Sequence, residues 1–250
     1  MPVNLSEKET PAEQSERFTA THWSQVLEAR DGASPQAAEA LERLCRTYWY
    51  PLYAYVRRQG KAPHDAQDLT QEFFARLLAG NFLKGVQRQK GKFRSFLLAS
   101  MNHFLADASD RANAAKRGGG QVPTSLSQED AENRYLADAA LALSPESIFE
   151  KRWATALLEE ALQKLRQEFA ASGKLERFEA LSVFLQDGSE AGDYVAVGTQ
   201  LGMTANAVAA AVQRLRERYR ELVRAEIAHT VETPEDLQEE MRHLLAVLAR

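Results

Sequence analysis

The sequence predicts an all-α protein of two helical domains joined by a linker. Three observations carry that reading. Apolar residues recur at helical spacing along most of the chain, with no convincing alternating strand. Gly118-Gly119-Gly120 is followed by a stretch of Pro, Ser, Gln and acids with weak periodicity, the composition of a linker. In the C-terminal half, a helix, a glycine turn and a second helix follow one another at helix-turn-helix spacing. A chain of 250 residues can bury two ordinary cores. The expected organisation is a mobile segment at 1–17, a helical domain at 18–120, a linker at 121–145, a helix-turn-helix domain at 146–230 and a C-terminal helical extension at 231–250.

The elements follow in order. Thr21-His22-Trp23-Ser24 opens a short helix that Asp31-Gly32 ends. Ser34-Pro35 starts a long one, with Ser as cap and Pro at the first helical position. Its stripe is Leu41, Leu44, Cys45, Tyr48, Leu52 and Tyr55, and Pro51 inside it predicts a kink or local break. The next helix, Asp65 to Gly80, is two-faced. At 100° per residue Asp65, Asp68 and Glu72 share one stripe beside Arg76, while Leu69, Phe73, Phe74, Leu77 and Leu78 cover the opposite arc. Folding needs only the apolar arc. The acidic stripe is a preformed surface for a basic or amide-rich partner.

Phe93 to Ala114 is a further helix with Phe93, Phe96, Leu97 and Phe104 inward, and the linker is expected to hold one helical turn near Tyr135. Ser144-Pro145 opens another helix, with Trp153, Leu157, Leu158, Ala161, Leu162, Leu165 and Phe169 as its apolar face. Ser172-Gly173 ends it, and Leu175 to Leu185 follows with Leu175, Phe178, Leu181 and Phe184 inward. Tyr194 to Leu201 and the helix from Ala205 flank the turn Gly202-Met203-Thr204. There Gly supplies a left-handed backbone and Thr204 a cap. Val197 and Leu201 are expected against Val208 and Val212. Thr233-Pro234 begins a last helix with Leu237, Met241, Leu244, Leu245 and Leu248 on one side. At roughly 17 residues it is marginal alone, so its stripe must pack on something.

Charge is segregated rather than uniform. The net charge of −4 argues against a protein coated with positive charge. Lys84, Arg88, Lys90, Lys92 and Arg94 nevertheless form a basic run, followed by Arg111, Lys116 and Arg117. Arg214, Arg216, Arg218, Arg220 and Arg224 form a second cluster. Acids collect between these clusters and in the tail. Nothing points to catalysis. The five histidines are scattered and the one cysteine, Cys45, allows no thiolate cage, so no metal is expected. The triple glycine lacks the Gly-Lys-Ser/Thr of a phosphate loop. No cofactor is implied. No run approaches the roughly 18 apolar residues of a membrane span, and the N-terminus is not a signal, so a cytoplasmic protein without membrane insertion is expected.

Helix-turn-helix spacing is that of a DNA-reading motif whose second helix enters the major groove. The outward face of that helix carries Asn206, Ala209, Ala210 and Gln213. Asn and Gln can read adenine, but alanines offer only methyl contacts. Base readout should therefore be weak or rest on Asn206, Gln213 and Arg214, with the arginines beyond on phosphates.

Taken together, the acidic helix, the basic helix after it, the linker and the terminal helix-turn-helix resemble a bacterial RNA polymerase sigma factor of the extracytoplasmic-function group, over roughly Phe18 to Ile227. The resemblance implies two helical domains, region 2 and region 4, core RNA polymerase and promoter DNA as partners, and an anti-sigma factor or serine/threonine kinase as a further candidate. Asp65-Ala-Gln-Asp68-Leu-Thr-Gln71-Glu72 resembles the region-2 helix that docks on the polymerase clamp, which assigns Asp65, Asp68, Gln71 and Glu72 to polymerase binding. Phe93-Arg94-Ser-Phe96-Leu with Asn102, Asp107 and Arg111 resembles the part that opens and holds the minus-ten element.

A cationic track with flat side chains suits single-strand capture, here Lys90, Lys92, Arg94, Arg111, Lys116 and Arg117, with Asn102 as a base contact. Tyr194 to Arg218 resembles region 4, which assigns Thr204, Asn206, Gln213, Arg214, Arg216, Arg218 and Arg220 to the minus-35 element. The family usually places a basic or hydroxyl residue where this chain has Ala209, Ala210 or Ala211. Tyr48-Trp-Tyr-Pro-Leu-Tyr53 and Lys116-Arg-Gly-Gly-Gly120 are similar to a branch from bacteria rich in serine/threonine kinases. The competing reading is a helical regulator that binds DNA or protein without engaging polymerase. A tail helix whose acidic side covers the recognition-helix arginines is a further expectation.

Overall fold

The computed structural model describes residues 35–78, 92–114, 128–139, 143–185, 191–231 and 233–249. The described residues form α-helices and no strand: α1 (Pro35–Arg58), α2 (Pro63–Leu78), α3 (Phe93–Ala114), α4 (Gln128–Ala139), α5 (Pro145–Ala171), α6 (Leu175–Ser182) with a 3-10 turn at Val183–Leu185, α7 (Ala191–Leu201), α8 (Ala205–Ala228) and α9 (Pro234–Leu248). No single one of these helices is long and apolar enough to cross a membrane. The helix expected at 21–31, the mobile segment at 1–17 and the glycine stop at 118–120 lie outside the described residues.

Two compact units emerge, one from the chain up to Ala156 together with Ile227 onward, the other from Leu157 to Glu226. The first has an aromatic core. Tyr48, Tyr53, Tyr55, Phe73, Phe93, Phe104, Phe149 and Trp153 are all but fully buried. The Trp153 Nε1 donates to the Tyr48 hydroxyl at 2.9 Å, and the Tyr48 ring meets Phe93 edge-on at 5.0 Å. Such pairing satisfies the polar handles that burial of Trp and Tyr requires. Burial is also the main cause that raises the Tyr48 hydroxyl above its ordinary pKa, with the Glu240 charge second. Cys45 is buried in this unit, as its neighbours implied.

Three expectations change. Helix α1 is unbroken at Pro51, which sits buried within it. The linker contains a three-turn helix, α4, rather than a single turn. That helix buries Ala131 and Tyr135 and is fixed by Glu132, which accepts from the Tyr53 hydroxyl at 2.6 Å and from Arg57 at 2.9 and 2.7 Å. The tail helix buries Leu237, Glu240, Leu244 and Val247, leaving Leu245 and Leu248 exposed. Its inward face is therefore rotated from the expected leucine stripe toward Glu240, which pairs with Arg94.

The second unit is built on Leu157, Ala161, Leu165, Phe178, Leu181, Phe184, Val208, Val212 and Leu215, all buried. The helices α7 and α8 are bent by 96° to each other, within the range of a helix-turn-helix. Gly202 adopts a left-handed φ of 65°, as the turn demands. Helix caps also fall where the sequence puts them. The hydroxyls of Ser144, Thr204 and Thr233 accept from the amides of Ser147, Ala207 and Asp236.

Candidate functional site

Three surfaces carry the predicted site residues. The first is on α2. Ala66, Thr70, Phe73 and Leu77 repeat every three or four residues and are wholly buried, which turns Asp65 and Asp68 to solvent and leaves Gln71 and Glu72 half-buried. Asp68 lies 3.0 Å from His64 one turn back. Glu72 pairs with Arg76 one turn on, and that guanidinium stands 5.2 Å from the Phe104 ring centre. Asp65 makes no ion pair among the described residues. The four side chains thus form one outward, net-acidic strip on a rigid helix. Thr70 is closed to a kinase in this fold, because it is buried and donates to the Ala66 carbonyl at 2.7 Å.

The second surface begins at α3, and here two predicted DNA contacts are already engaged. The Arg94 fork donates to both oxygens of Glu240, at 3.1 and 3.0 Å, and to Glu150 at 3.1 Å. It also lies 4.9 Å from the Trp153 ring centre. Its side chain is 12% exposed and that of Glu240 1%. Burial is the largest single influence and works against the guanidinium charge, yet the hydrogen bonds to Glu240 together with the charges of Glu240 and Glu150 outweigh it and its pKa is raised. Lys92 donates to Glu239 at 2.6 Å, and its backbone bridges to Val231. Asn102 is exposed, but its Oδ1 accepts from the Tyr55 hydroxyl at 2.5 Å. A bidentate reading of a base by Asn102 would therefore compete with that bond. Arg111 lies on α3, with its side chain outside the described residues, as are Lys90, Lys116 and Arg117.

The third surface is α8. Asn206, Ala209, Ala210, Gln213, Arg214 and Arg220 are exposed, which gives the small-residue outward face the sequence predicts. Gln213 donates to Glu217 at 3.2 Å. Arg216 is held at the Phe184 carbonyl, at 3.1 and 2.7 Å. Arg218 forms a two-pronged pair with Glu168 at 2.9 and 2.6 Å and reaches Glu221 at 2.7 Å. Both side chains stay exposed while so engaged. Beside them is a concavity of about 420 Å³, lined by Lys174, Arg177, Arg214 and Arg218 with Glu168 at its edge. Among the described residues no cluster of side chains is arranged to hold a metal ion.

A family model described as ECF sigma factor matches residues 23–228. The chain belongs to the ECF sigma factor family. No curated protein and no solved structure matches it. As a member, it is a transcription initiation factor that works with RNA polymerase at promoter DNA.

Within this sigma factor the α2 residues come together as the sequence implied, whereas the cationic residues divide. Asn206, Arg214 and Arg220 are exposed, Gln213 is exposed with one hydrogen bond to Glu217, Thr204 caps α8, and Lys92, Arg94, Arg216 and Arg218 are partnered within their units. Within its own unit the acidic side of the tail helix is engaged. The acids Glu239 and Glu240 face Lys92 and Arg94. Sequence reasoning missed Glu240, Glu150 and Glu132, whose partners lie far away along the chain. It also missed Gly198, where an added Cβ would meet the Met203 carbonyl oxygen at 2.6 Å. A glycine inside an otherwise helical pattern is the signal that could have found it.

Proposed function

We propose that this ECF sigma factor binds core RNA polymerase through Asp65, Asp68, Gln71 and Glu72 of α2 and directs it to specific promoters, assisting minus-ten opening. In this reading residues 18–120 act as region 2 and residues 146–230 as region 4. The single observation that carries the assignment is the acidic strip itself. Its two leading carboxylates are exposed on a helix whose opposite face is completely buried, so they are not needed for folding and are free to meet a cationic partner.

The track of Lys90, Lys92, Arg94, Asn102, Arg111, Lys116 and Arg117 serves the unpaired minus-ten strand. Asn206, Gln213, Arg214 and Arg220, supported by Lys174 and Arg177, serve the minus-35 duplex mainly through phosphates. Alanines at 209 and 210 leave little else for base reading. The test is a pull-down with purified core polymerase. Asp65→Lys with Asp68→Lys should abolish co-purification while circular dichroism stays that of the wild type. Undiminished co-purification of the folded variant would remove α2 as the dock.

A further inference from the structure

Helix α9 lies on the cations that the functional reading gives to promoter DNA. Lys92 Nζ stands 2.6 Å from Glu239 and 3.6 Å from Glu240, and Arg94 forks onto both oxygens of Glu240. A guanidinium grips carboxylate and phosphate with the same two-pronged geometry. The two glutamates therefore stand where phosphate oxygens of a bound strand would stand.

The cover is also built to detach. Helix α9 has 15 residues, too few to be stable alone. Its buried apolar side chains are Leu237, Leu244 and Val247, with Leu245 62% and Leu248 49% exposed on the outer side.

We infer that α9 is an autoinhibitory cap in which Glu239 and Glu240 act as an internal substitute for DNA phosphate, closing Lys92 and Arg94 until a strand displaces them. The inference rests on the reading of Lys92 and Arg94 as part of the DNA track. While the cap is closed, the affinity of the chain for a single strand is reduced by the fraction of molecules that are open. Weakening the cap raises that fraction without adding any contact to DNA.

The test uses the full chain without polymerase and a fluorescent single-stranded oligodeoxynucleotide. Glu239→Gln with Glu240→Gln should bind the strand about tenfold more tightly than the wild type, and Glu239→Gln alone about threefold. Adding Lys92→Ala to the double variant should remove most of the gain. In the wild type, saturation with the strand should increase amide exchange across residues 234–248. A folded double variant with wild-type affinity overturns the cap, as does wild-type α9 that keeps its protection when saturated. If Glu240→Gln prevents folding, Glu239→Gln decides the matter, because Glu239 is 56% exposed, and unchanged affinity there also overturns the cap. Failure of the functional reading looks different: Lys92→Ala then leaves strand affinity unaltered in every background, or the wild type does not associate with core polymerase.

Discussion

Helices α2 and α9 belong to the same unit and both present acids, yet the acids are used in opposite ways. On α2, Asp68 and Glu72 meet side chains of their own helix and Asp65 meets none among the described residues. On α9, Glu239 and Glu240 reach cations 147 and 146 positions earlier in the chain, and Glu240 is buried in doing so. An acidic helix can serve as a handle for a partner when its acids stay at the surface rather than buried against distant cations. Exposed ion pairs are worth little, whereas breaking a buried pair strands a charge out of water. The contrast predicts that the two sets of substitutions separate stability from binding.

Arg94→Ala should cost about 3–5 kcal/mol in urea unfolding, because it leaves Glu240 buried without its fork. A loss below about 1 kcal/mol, the level of an exposed pair, would erase the distinction between the helices. Glu132→Gln should cost about 1.5–3 kcal/mol at neutral pH, the range of hydrogen bonds to a charged group. Here pH sharpens the result. The hydrogen bonds from Arg57 hold the Glu132 carboxyl below its ordinary pKa of 4.5. A folded-state pKa below the unfolded one contributes stability that is fully present above the unfolded value and is lost as pH falls through the folded value. The gap between wild type and Glu132→Gln should therefore be constant above about pH 5.5 and close progressively below 4.5. A gap that widens on acidification would contradict the assignment.

Smaller effects belong to the exposed side chains. Asp65→Lys with Asp68→Lys should change stability by no more than about 0.5 kcal/mol by thermal melting, and a large loss would make α2 a structural element like α9. Arg214→Ala and Arg220→Ala should leave melting unchanged within about the same margin. In duplex binding titrations each should lower the salt slope by about 1. Slopes equal to that of the wild type would take both residues off the phosphate contacts.

The fold was largely legible where the forces are local. Capping residues, the Gly202 turn and the two faces of α2 are short-range features, and periodicity exposes them. The phase of α9 was not legible, because Met241, Leu245 and Leu248 suggest one face while Glu240, whose partner Arg94 lies 146 positions away, turns inward. Helix α4 was hidden for the same reason. Among its described side chains Ala131 and Tyr135 are the buried apolar ones, and its anchor, Glu132, is recognisable only once Arg57 and Tyr53 are beside it. In the candidate site, residue types were readable and their availability was not. Arg94 and Arg220 look alike in sequence, yet one is locked and the other exposed.

The central claim is that the α2 carboxylates connect this sigma factor to the transcription machinery. Its most direct test is promoter-dependent transcription by purified core polymerase supplemented with the full chain. The wild type should yield a defined transcript from a promoter library, and a folded Asp65→Lys, Asp68→Lys chain should yield none. Equal transcript from both, or none from the wild type at saturating concentration, would contradict the claim.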